Sequence, residues 1–117
     1  DMPTEAQPPP QRWVGQLQVT CLSATGLRAA DKHMFKKDSS DPYCVVHVQQ
    51  GLGKTVHKKT HHISENLNPV WNETLLFDVD WPEQPAPLPE ILVEVWDKDK
   101  LSSDFLGEVS VPWPAET

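Results

Sequence analysis

Apolar and polar residues alternate along six short stretches of this chain. In the first stretch, Leu17, Val19 and Cys21 are separated by single polar residues. Successive side chains of a β-strand point to opposite faces, so a period of two places these three residues on one face. The same period predicts strands at 16–21, 43–49, 55–62, 73–79, 91–96 and 106–111. No stretch shows a helical period, and the pattern therefore predicts an all-β fold.

The apolar positions of the other stretches identify further core residues. They are Cys44, Val46 and Val48, then Leu75, Phe77 and Val79, then Ile91, Val93 and Val95, and finally Val109 and Val111. Turns rich in Pro, Gly, Asn and Asp separate the stretches, which favours an antiparallel sandwich or barrel. The segment 81–89 contains four prolines and is expected to be an exposed connection.

The length of 117 residues fits one domain with its own core. Residues 1–12 include Pro3 and a run of three prolines, which predicts a flexible Pro-rich tail or linker before a domain at 13–117. No run of about 18–20 apolar residues could span a bilayer, and the first residues lack the order of a secretory signal. We expect a soluble chain.

The charge of the chain is unevenly distributed. The formal net charge is −7, yet the segment from Lys54 to His62 contains basic residues and histidines and no acidic residue. An acidic protein is repelled by nucleic acid and by anionic lipid, so binding to either needs a local basic patch or a bound cation. We expect no nucleic-acid partner.

The two cysteines, Cys21 and Cys44, lie in apolar alternating stretches and are predicted to be reduced core residues. A disulfide scaffold of this size would need more pairs, which favours an intracellular compartment. The glycosylation pattern Asn72-Glu73-Thr74 is interpreted as incidental.

Carboxylates concentrate where predicted strands end. Asp31 and Asp41 bracket one loop, and Asp97, Asp99 and Asp104 follow the strand at 91–96. Calcium takes about 6–8 oxygen ligands and tolerates irregular geometry, so two acidic loops that meet would suit it. The alternative is that each aspartate is a solvated turn former.

Four short motifs follow one another along the chain: Ser40-Asp41-Pro42-Tyr43, Leu67–Glu73, Trp96–Asp99 and Asp104–Gly107. Over about residues 15–112 the chain resembles a C2 domain. The resemblance implies an eight-stranded antiparallel Greek-key β-sandwich whose loops bind two or three calcium ions and then anionic phospholipid. Only six strands are predicted here, so the domain is expected to be truncated or completed by another segment at the C-terminus.

The resemblance also implies a set of calcium ligands. They are Asp31 and Asp41 in the first loop and Asp97, Asp99 and Asp104 in the third. The first loop is four residues longer than the common pattern, which makes Asp38 a competing ligand and resembles extended synaptotagmins. The third loop is one residue shorter, which leaves Asp104 less firmly placed.

Three groups of residues are candidates for lipid contact. Met34 and Phe35 are expected at the tip of the first loop and Leu101 at the tip of the third, where they could enter the headgroup region. The alternative is that Phe35 folds back on the sandwich. The basic strand, with Lys54, Lys58 and Lys59, resembles the one that phosphoinositide-binding members use. A plain solvated strand is its alternative, and a zinc site at His57 and His61 is a weaker one.

The favoured function is calcium-dependent binding of anionic phospholipid, which would recruit a cytoplasmic parent protein to the membrane surface. The alternative is a calcium-independent module that binds phosphoinositide or a protein partner. The sequence contains no Gly-x-Ser-x-Gly elbow, no His-Glu-x-x-His and no phosphate-cradling glycine loop, so we do not expect an enzyme.

Overall fold

Six β-strands form the regular structure of the computed structural model, which describes residues 11–30, 39–99 and 102–114. They are β1 (Trp13–Ser23), β2 (Pro42–Gly51), β3 (Lys54–Lys59), β4 (Val70–Trp81), β5 (Ile91–Lys98) and β6 (Ser103–Val111). All strand pairs are antiparallel. The predicted all-β antiparallel fold is confirmed, with six strands in the described part of the chain where the resemblance implied eight.

The strands form two sheets. β1 and β4 make a two-stranded sheet, and the order β3-β2-β5-β6 makes a four-stranded one. Alternation gives each sheet an apolar face, and the two apolar faces enclose the core. Cys21 of β1 and Cys44 of β2 are both buried in it as free thiols, as predicted.

The core contains the inward positions that alternation predicted for β1, β2 and β4. Val46 and Val48 are fully buried and Phe77 is 1% exposed, while Leu17 and Leu75 are also buried. Burial of one such side chain contributes about 1.5–3 kcal/mol, so these positions carry much of the stability of the sandwich.

Strand β3 is shorter than the predicted stretch 55–62, because the chain leaves the sheet after Lys59. The hydroxyl of Thr60 accepts a hydrogen bond from the backbone N–H of Cys44 at 3.0 Å. The N–H of His61 donates to the carboxylate of Glu73 at 2.9 Å. Side-chain oxygens therefore accept hydrogen bonds from backbone N–H groups that a longer β3 would have bonded through its backbone.

Strand β6 departs from the predicted core. Val109 is 57% exposed and Val111 is 38% exposed, so neither is a core residue among the described parts of the chain. Both border an open apolar groove of about 490 Å³ between β1 and β6, with Val93 and Val95 of β5 in its wall. Val109 and Val111 therefore share the groove-facing side of β6, but no described segment packs over them.

The loops gather at two opposite ends of the sandwich. The Pro-rich segment 82–90 connects β4 to β5 at one end without regular structure. The exposed connection predicted for 81–89 therefore begins one residue later, because Trp81 ends β4 and is buried in the core. The β1–β2, β3–β4 and β5–β6 connections lie at the other end. Within the described ranges, no helix is long and apolar enough to cross a bilayer.

Candidate functional site

Strands β5 and β6 bring three of the predicted metal ligands together. Asp97 near the end of β5 is the direct cross-strand partner of Asp104 near the start of β6, and Asp99 lies in the turn between them. One carboxylate oxygen from each residue lies within 4.8 Å of the others. Asp97 is fully buried, Asp99 is half-buried and Asp104 is exposed. The group, called here the carboxylate cluster, is therefore closed at Asp97 and open at Asp104.

Asp41 adjoins the cluster through its backbone. Its N–H donates to Oδ1 of Asp97 at 2.6 Å, and its carbonyl oxygen accepts from the N–H of Lys98 at 3.0 Å. Its own Oδ1 accepts from the N–H of Glu65 at 2.6 Å. The first residue of the Asp-Pro-Tyr motif thus fixes the orientation of the Asp97 carboxylate, and its side chain is held by the β3–β4 loop.

The β3–β4 loop is shaped to make that contact. Glu65 has a positive φ of 47°, an unusual backbone conformation for a residue other than glycine. The next residue, Asn66, donates its N–H to the carbonyl of Ser40 at 2.9 Å. Consecutive backbone N–H groups therefore point at the Ser40–Asp41 segment and hold it against the loop.

The first loop is tied at both ends. The hydroxyl of Ser40, which is fully buried, donates to the carbonyl of Arg28 at 2.9 Å and accepts from the N–H of Ala30 at 2.9 Å. Arg28 donates through Nη2 to the carbonyl of Phe105 at 2.6 Å, which joins this loop to β6. The described stems of the first loop therefore converge on the carboxylate cluster.

The Leu67–Glu73 motif connects three strands at the loop end. The amide oxygen of Asn68 accepts from the N–H of Gly26 at 2.9 Å, and Trp71 donates through Nε1 to the carbonyl of Pro42 at 3.1 Å. These bonds join the β1 end, the β2 start and the β4 start. The motif holds the loop end together without offering a ligand.

The chemistry of the cluster fits calcium. Its three acidic side chains offer only oxygen donors, which are the ligands calcium prefers, and Asp104 leaves the mouth open to further oxygen ligands. Like charges about 4 Å apart repel by about 1 kcal/mol per pair even in water, and the three carboxylate oxygens lie within 4.8 Å of one another, so a cation at this point would relieve their repulsion. Asp31 and Asp38 lie outside the described residues, as do Met34, Phe35 and Leu101.

The three predicted basic residues do not form one patch. Lys59 lies over the ring of Tyr43, at 5.9 Å from its centroid. Lys58 donates to the carbonyl of Leu76 at 2.5 Å and lies over Phe77, on the side of the strand that faces β4. Lys54 lies at the other end of β3, where its charge adds to the hydrogen bonds and charge of Arg12 that lower the pKa of Asp80.

The structure also shows a group of residues that were not assigned together from the sequence. Tyr43 and His47 of β2, His57 of β3 and Trp96 of β5 line a cavity of about 590 Å³ on the outer face of the four-stranded sheet. The signal that could have found them is the alternation in 43–48, which places Tyr43 and His47 on the face opposite the core. We call this cavity the outer pocket.

The two histidines of the alternative zinc site, His57 and His61, contact different partners. The ring of His57 packs on His47 with 5.6 Å between centroids, whereas His61 lies 3.1 Å from the carboxylate of Glu73. Among the described residues, the carboxylate cluster is the only group of three or more potential metal ligands.

Comparison with known proteins agrees with this geometry. The family description "C2 domain" matches residues 15–116 of the chain. Multiple C2 and transmembrane domain-containing protein 1 of Homo sapiens is 38% identical over 101 residues, which are 85% of this chain and 9% of that protein. The chain thus spans a small part of the length of this relative.

Two solved structures have the same fold. A calcium-bound pair of C2 domains from extended synaptotagmin 2 superposes with a TM-score of 0.67 at 28% identity, covering 84% of this chain and 34% of that one. A single C2 domain from a plant extended synaptotagmin 1 superposes with a TM-score of 0.65 at 26% identity, covering 85% of this chain and 69% of that one. The likeness to extended synaptotagmins in the sequence is therefore confirmed.

Proposed function

The chain belongs to the C2 domain family, and from that premise we propose that it binds anionic phospholipid in a calcium-dependent manner. The observation that carries the proposal is the carboxylate cluster of Asp97, Asp99 and Asp104, whose oxygens lie within 4.8 Å of one another beside the Asp41 backbone. Asp41 and Asp31 are proposed as further ligands from the first loop, with Asp38 as the competing one. Two or three ions are expected.

Charge reversal is the proposed basis of lipid binding. Without a cation, the cluster presents negative charge at the loop end and repels an anionic membrane. A divalent ion held by these carboxylates reverses the local sign, and lipid phosphate or carboxylate oxygens complete its coordination. Met34, Phe35 and Leu101 are proposed to enter the headgroup region beside it.

A calcium-independent role is the second candidate, and the outer pocket is the observation that favours it. Lys59 and two histidines surround an aromatic surface there. Such a surface suits a phosphoinositide headgroup or an acidic segment of a protein. Lys54 and Lys58 are proposed to add basic charge along the same strand.

We also propose that further strands complete the sandwich to eight. The groove between β1 and β6 leaves Val109 and Val111 exposed, and the outer edges of these strands can accept more backbone hydrogen bonds. A segment that follows 13–117 in a longer polypeptide is the proposed source.

The parent protein is proposed to be cytoplasmic and to become peripheral to the membrane when calcium binds. Residues 1–12 would then be a linker, and the domain would deliver other parts of the protein to the lipid surface without catalysing a reaction itself.

Co-sedimentation with vesicles tests the proposal. We expect the chain to bind vesicles that contain phosphatidylserine in free calcium and to remain in solution in chelator. Asp97→Asn/Asp99→Asn should abolish the calcium-dependent fraction, because two of the three carboxylates of the cluster lose their charge.

Asp78→Asn is the matched control, because Asp78 is an exposed carboxylate of β4 away from the cluster. It should bind like the unmodified chain. Equal binding in calcium and in chelator would refute the calcium switch and favour the second candidate.

A further inference from the structure

We propose that Cys21 and Cys44 are a redox-active pair, which a hydroperoxide converts to a disulfide between the two sheets and a dithiol reductant restores. They are the two cysteines of the sequence. Neither belongs to the carboxylate cluster or to the outer pocket, so the pair is a modification site separate from the proposed lipid-binding function.

Strand alternation directs the two thiols toward each other across the core. Cys21 lies on the inner face of β1 and Cys44 on the inner face of β2, with exposures of 7% and 3%. Their side chains are joined by a hydrogen bond. A disulfide holds its two Cβ atoms about 3.5–4.5 Å apart, so two thiols in contact need little movement to form one. Because β1 and β2 lie in different sheets, the new bond would join the two halves of the sandwich.

The backbone holds Cys44 in place and lets Cys21 adjust. The N–H of Cys44 donates to the hydroxyl of Thr60 at 3.0 Å, and its carbonyl accepts from the N–H of Thr60 at 3.0 Å. On the other strand, the register of β1 against β4 shifts between Cys21 and Ser23. Such a shift interrupts the ladder locally, so this end of β1 can move slightly toward β2.

The contact makes the two thiols chemically different. The hydrogen bond with Cys44 lowers the pKa of Cys21, although burial opposes the change. The same hydrogen bond, followed by burial, raises the pKa of Cys44. Glu73, the cross-strand partner of Cys21, adds a negative charge that disfavours a second thiolate. Since the thiolate is the nucleophilic form, Cys21 attacks the oxidant and Cys44 resolves the product.

An open groove gives the oxidant its route to the pair. Both cysteines line the groove of about 490 Å³ between β1 and β6, together with apolar side chains such as Trp71 and Val93. A charged oxidant would lose hydration along such a wall, whereas a small neutral molecule enters at little cost. Hydrogen peroxide is therefore the oxidant that fits.

The oxidation proceeds in two steps. The Cys21 thiolate attacks one oxygen of hydrogen peroxide, the O–O bond breaks, and the leaving hydroxide takes up the proton that Cys21 had lost, which gives water and a sulfenic acid. The Cys44 sulfur then attacks the Cys21 sulfur, and the sulfenic hydroxyl leaves with the Cys44 proton as a second water. The two thiols lose two electrons and two protons, and one peroxide becomes two waters.

The disulfide would close a ring around the first loop. The residues between Cys21 and Cys44 contain the whole β1–β2 connection, including Asp31 and Asp41. A crosslink removes conformations from the unfolded chain, so a bond that fits the native core stabilises the fold.

Mass spectrometry of the unmodified chain tests the pair directly. The folded chain is treated with hydrogen peroxide, quenched with catalase, unfolded and alkylated. We expect a monomer that has lost two hydrogen atoms and takes up no alkyl group until a dithiol reductant is added. Its digest should contain a peptide that joins Cys21 to Cys44. The Tm of the oxidised chain should be higher by about 5–10 °C than that of the reduced chain.

Two variants separate the roles of the thiols. Cys44→Ala should stop at the sulfenic acid of Cys21, which dimedone traps, because no second thiol is present. Cys21→Ala should react with peroxide about tenfold more slowly, because Cys44 keeps its proton. Circular dichroism of both variants without oxidant checks that each is folded.

Thiols that remain open to alkylation after peroxide treatment, or a disulfide between two copies of the chain, would overturn the inference. A lower Tm after oxidation would also overturn it, since the bond would then fit only the unfolded chain. Equal peroxide rates in the two variants would refute the role of Cys21 as the nucleophile. All these measurements are made without calcium or lipid, so failure of the calcium switch would leave their outcome unchanged.

Discussion

At the scale of single residues, the carboxylates of this chain have two different roles. Asp97 is buried and oriented by the backbone of Asp41, and it belongs to the carboxylate cluster. Asp80 is exposed at the far end of β4 and has a fixed partner of opposite charge. Arg12 donates to its two oxygens, through Nε at 2.8 Å and through Nη2 at 2.7 Å.

The Arg12–Asp80 pair predicts a specific pH response. Hydrogen bonds from Arg12, followed by its charge, hold the pKa of Asp80 below its usual value. A carboxylate with a lowered folded-state pKa contributes stability above its unfolded-state pKa, and that contribution is lost as the pH falls through the folded-state value. Arg12→Ala should raise the pKa of Asp80 toward that of an ordinary aspartate, as followed by NMR titration of its carboxyl carbon.

The stability change in Arg12→Ala should be small near neutral pH, because both side chains are exposed and such pairs contribute little. Arg28→Ala provides a contrast, because Arg28 contacts a backbone carbonyl and not this carboxylate. An unchanged Asp80 titration in Arg12→Ala would contradict the assignment of the shift to Arg12.

At the scale of elements, β4 contributes one face to the core and the other face to the protein surface. Phe77 is 1% exposed on its inner face, whereas the adjacent Leu76 is 42% exposed on its outer face. The two residues pair with Leu17 and Gln18 of β1. Successive positions of the strand thus have opposite environments.

Phe77→Ala should therefore destabilise the fold by about 3–5 kcal/mol, from lost burial and from the cavity left behind. Leu76→Ala should change the free energy of unfolding by about 1 kcal/mol or less, because Leu76 lies on the outer face and is already 42% exposed. Urea unfolding of both variants checks the difference. Equal losses would show that the inward face of β4 does not carry the core.

At the scale of the whole molecule, the loop end and the sandwich are coupled. The cluster spans β5 and β6, and hydrogen bonds from Asp41, Glu65 and Arg28 connect it to the other loops. A ligand that binds these groups only in the folded state must stabilise the entire fold. Calcium bound at the proposed site is therefore expected to stabilise the whole sandwich.

Calcium at about 100 times its dissociation constant should add about 2.7 kcal/mol to the free energy of unfolding. The effect of Asp104→Asn on the Tm should differ between chelator and calcium. In chelator its Tm should equal or exceed that of the unmodified chain, because the substitution removes repulsion of about 1 kcal/mol or less. In calcium its Tm should be lower, because a ligand is lost.

Differential scanning calorimetry in chelator and in calcium measures both effects. A Tm that does not change with calcium in the unmodified chain would contradict the proposed site. A lower Tm of Asp104→Asn in chelator would show that Asp104 stabilises the turn for a reason other than metal binding.

The sequence by itself determined the strands and most of the core, because side-chain alternation has the same period as the strand and groups the apolar side chains of a strand on one face. It also determined that acidic residues lie at strand ends. These properties depend on residues near one another in the chain, so a local pattern is enough to predict them.

Only the tertiary structure decided which distant residues meet. The pairing of β5 with β6 brings Asp97, Asp99 and Asp104 together, while Asp41 contributes mainly through its backbone. The pairing of β2 with β3 and β5 creates the outer pocket from His47, His57 and Glu94. Sequence periodicity fixes the face on which a side chain lies, but strand order and register fix its neighbours, and these depend on contacts between segments far apart in the chain.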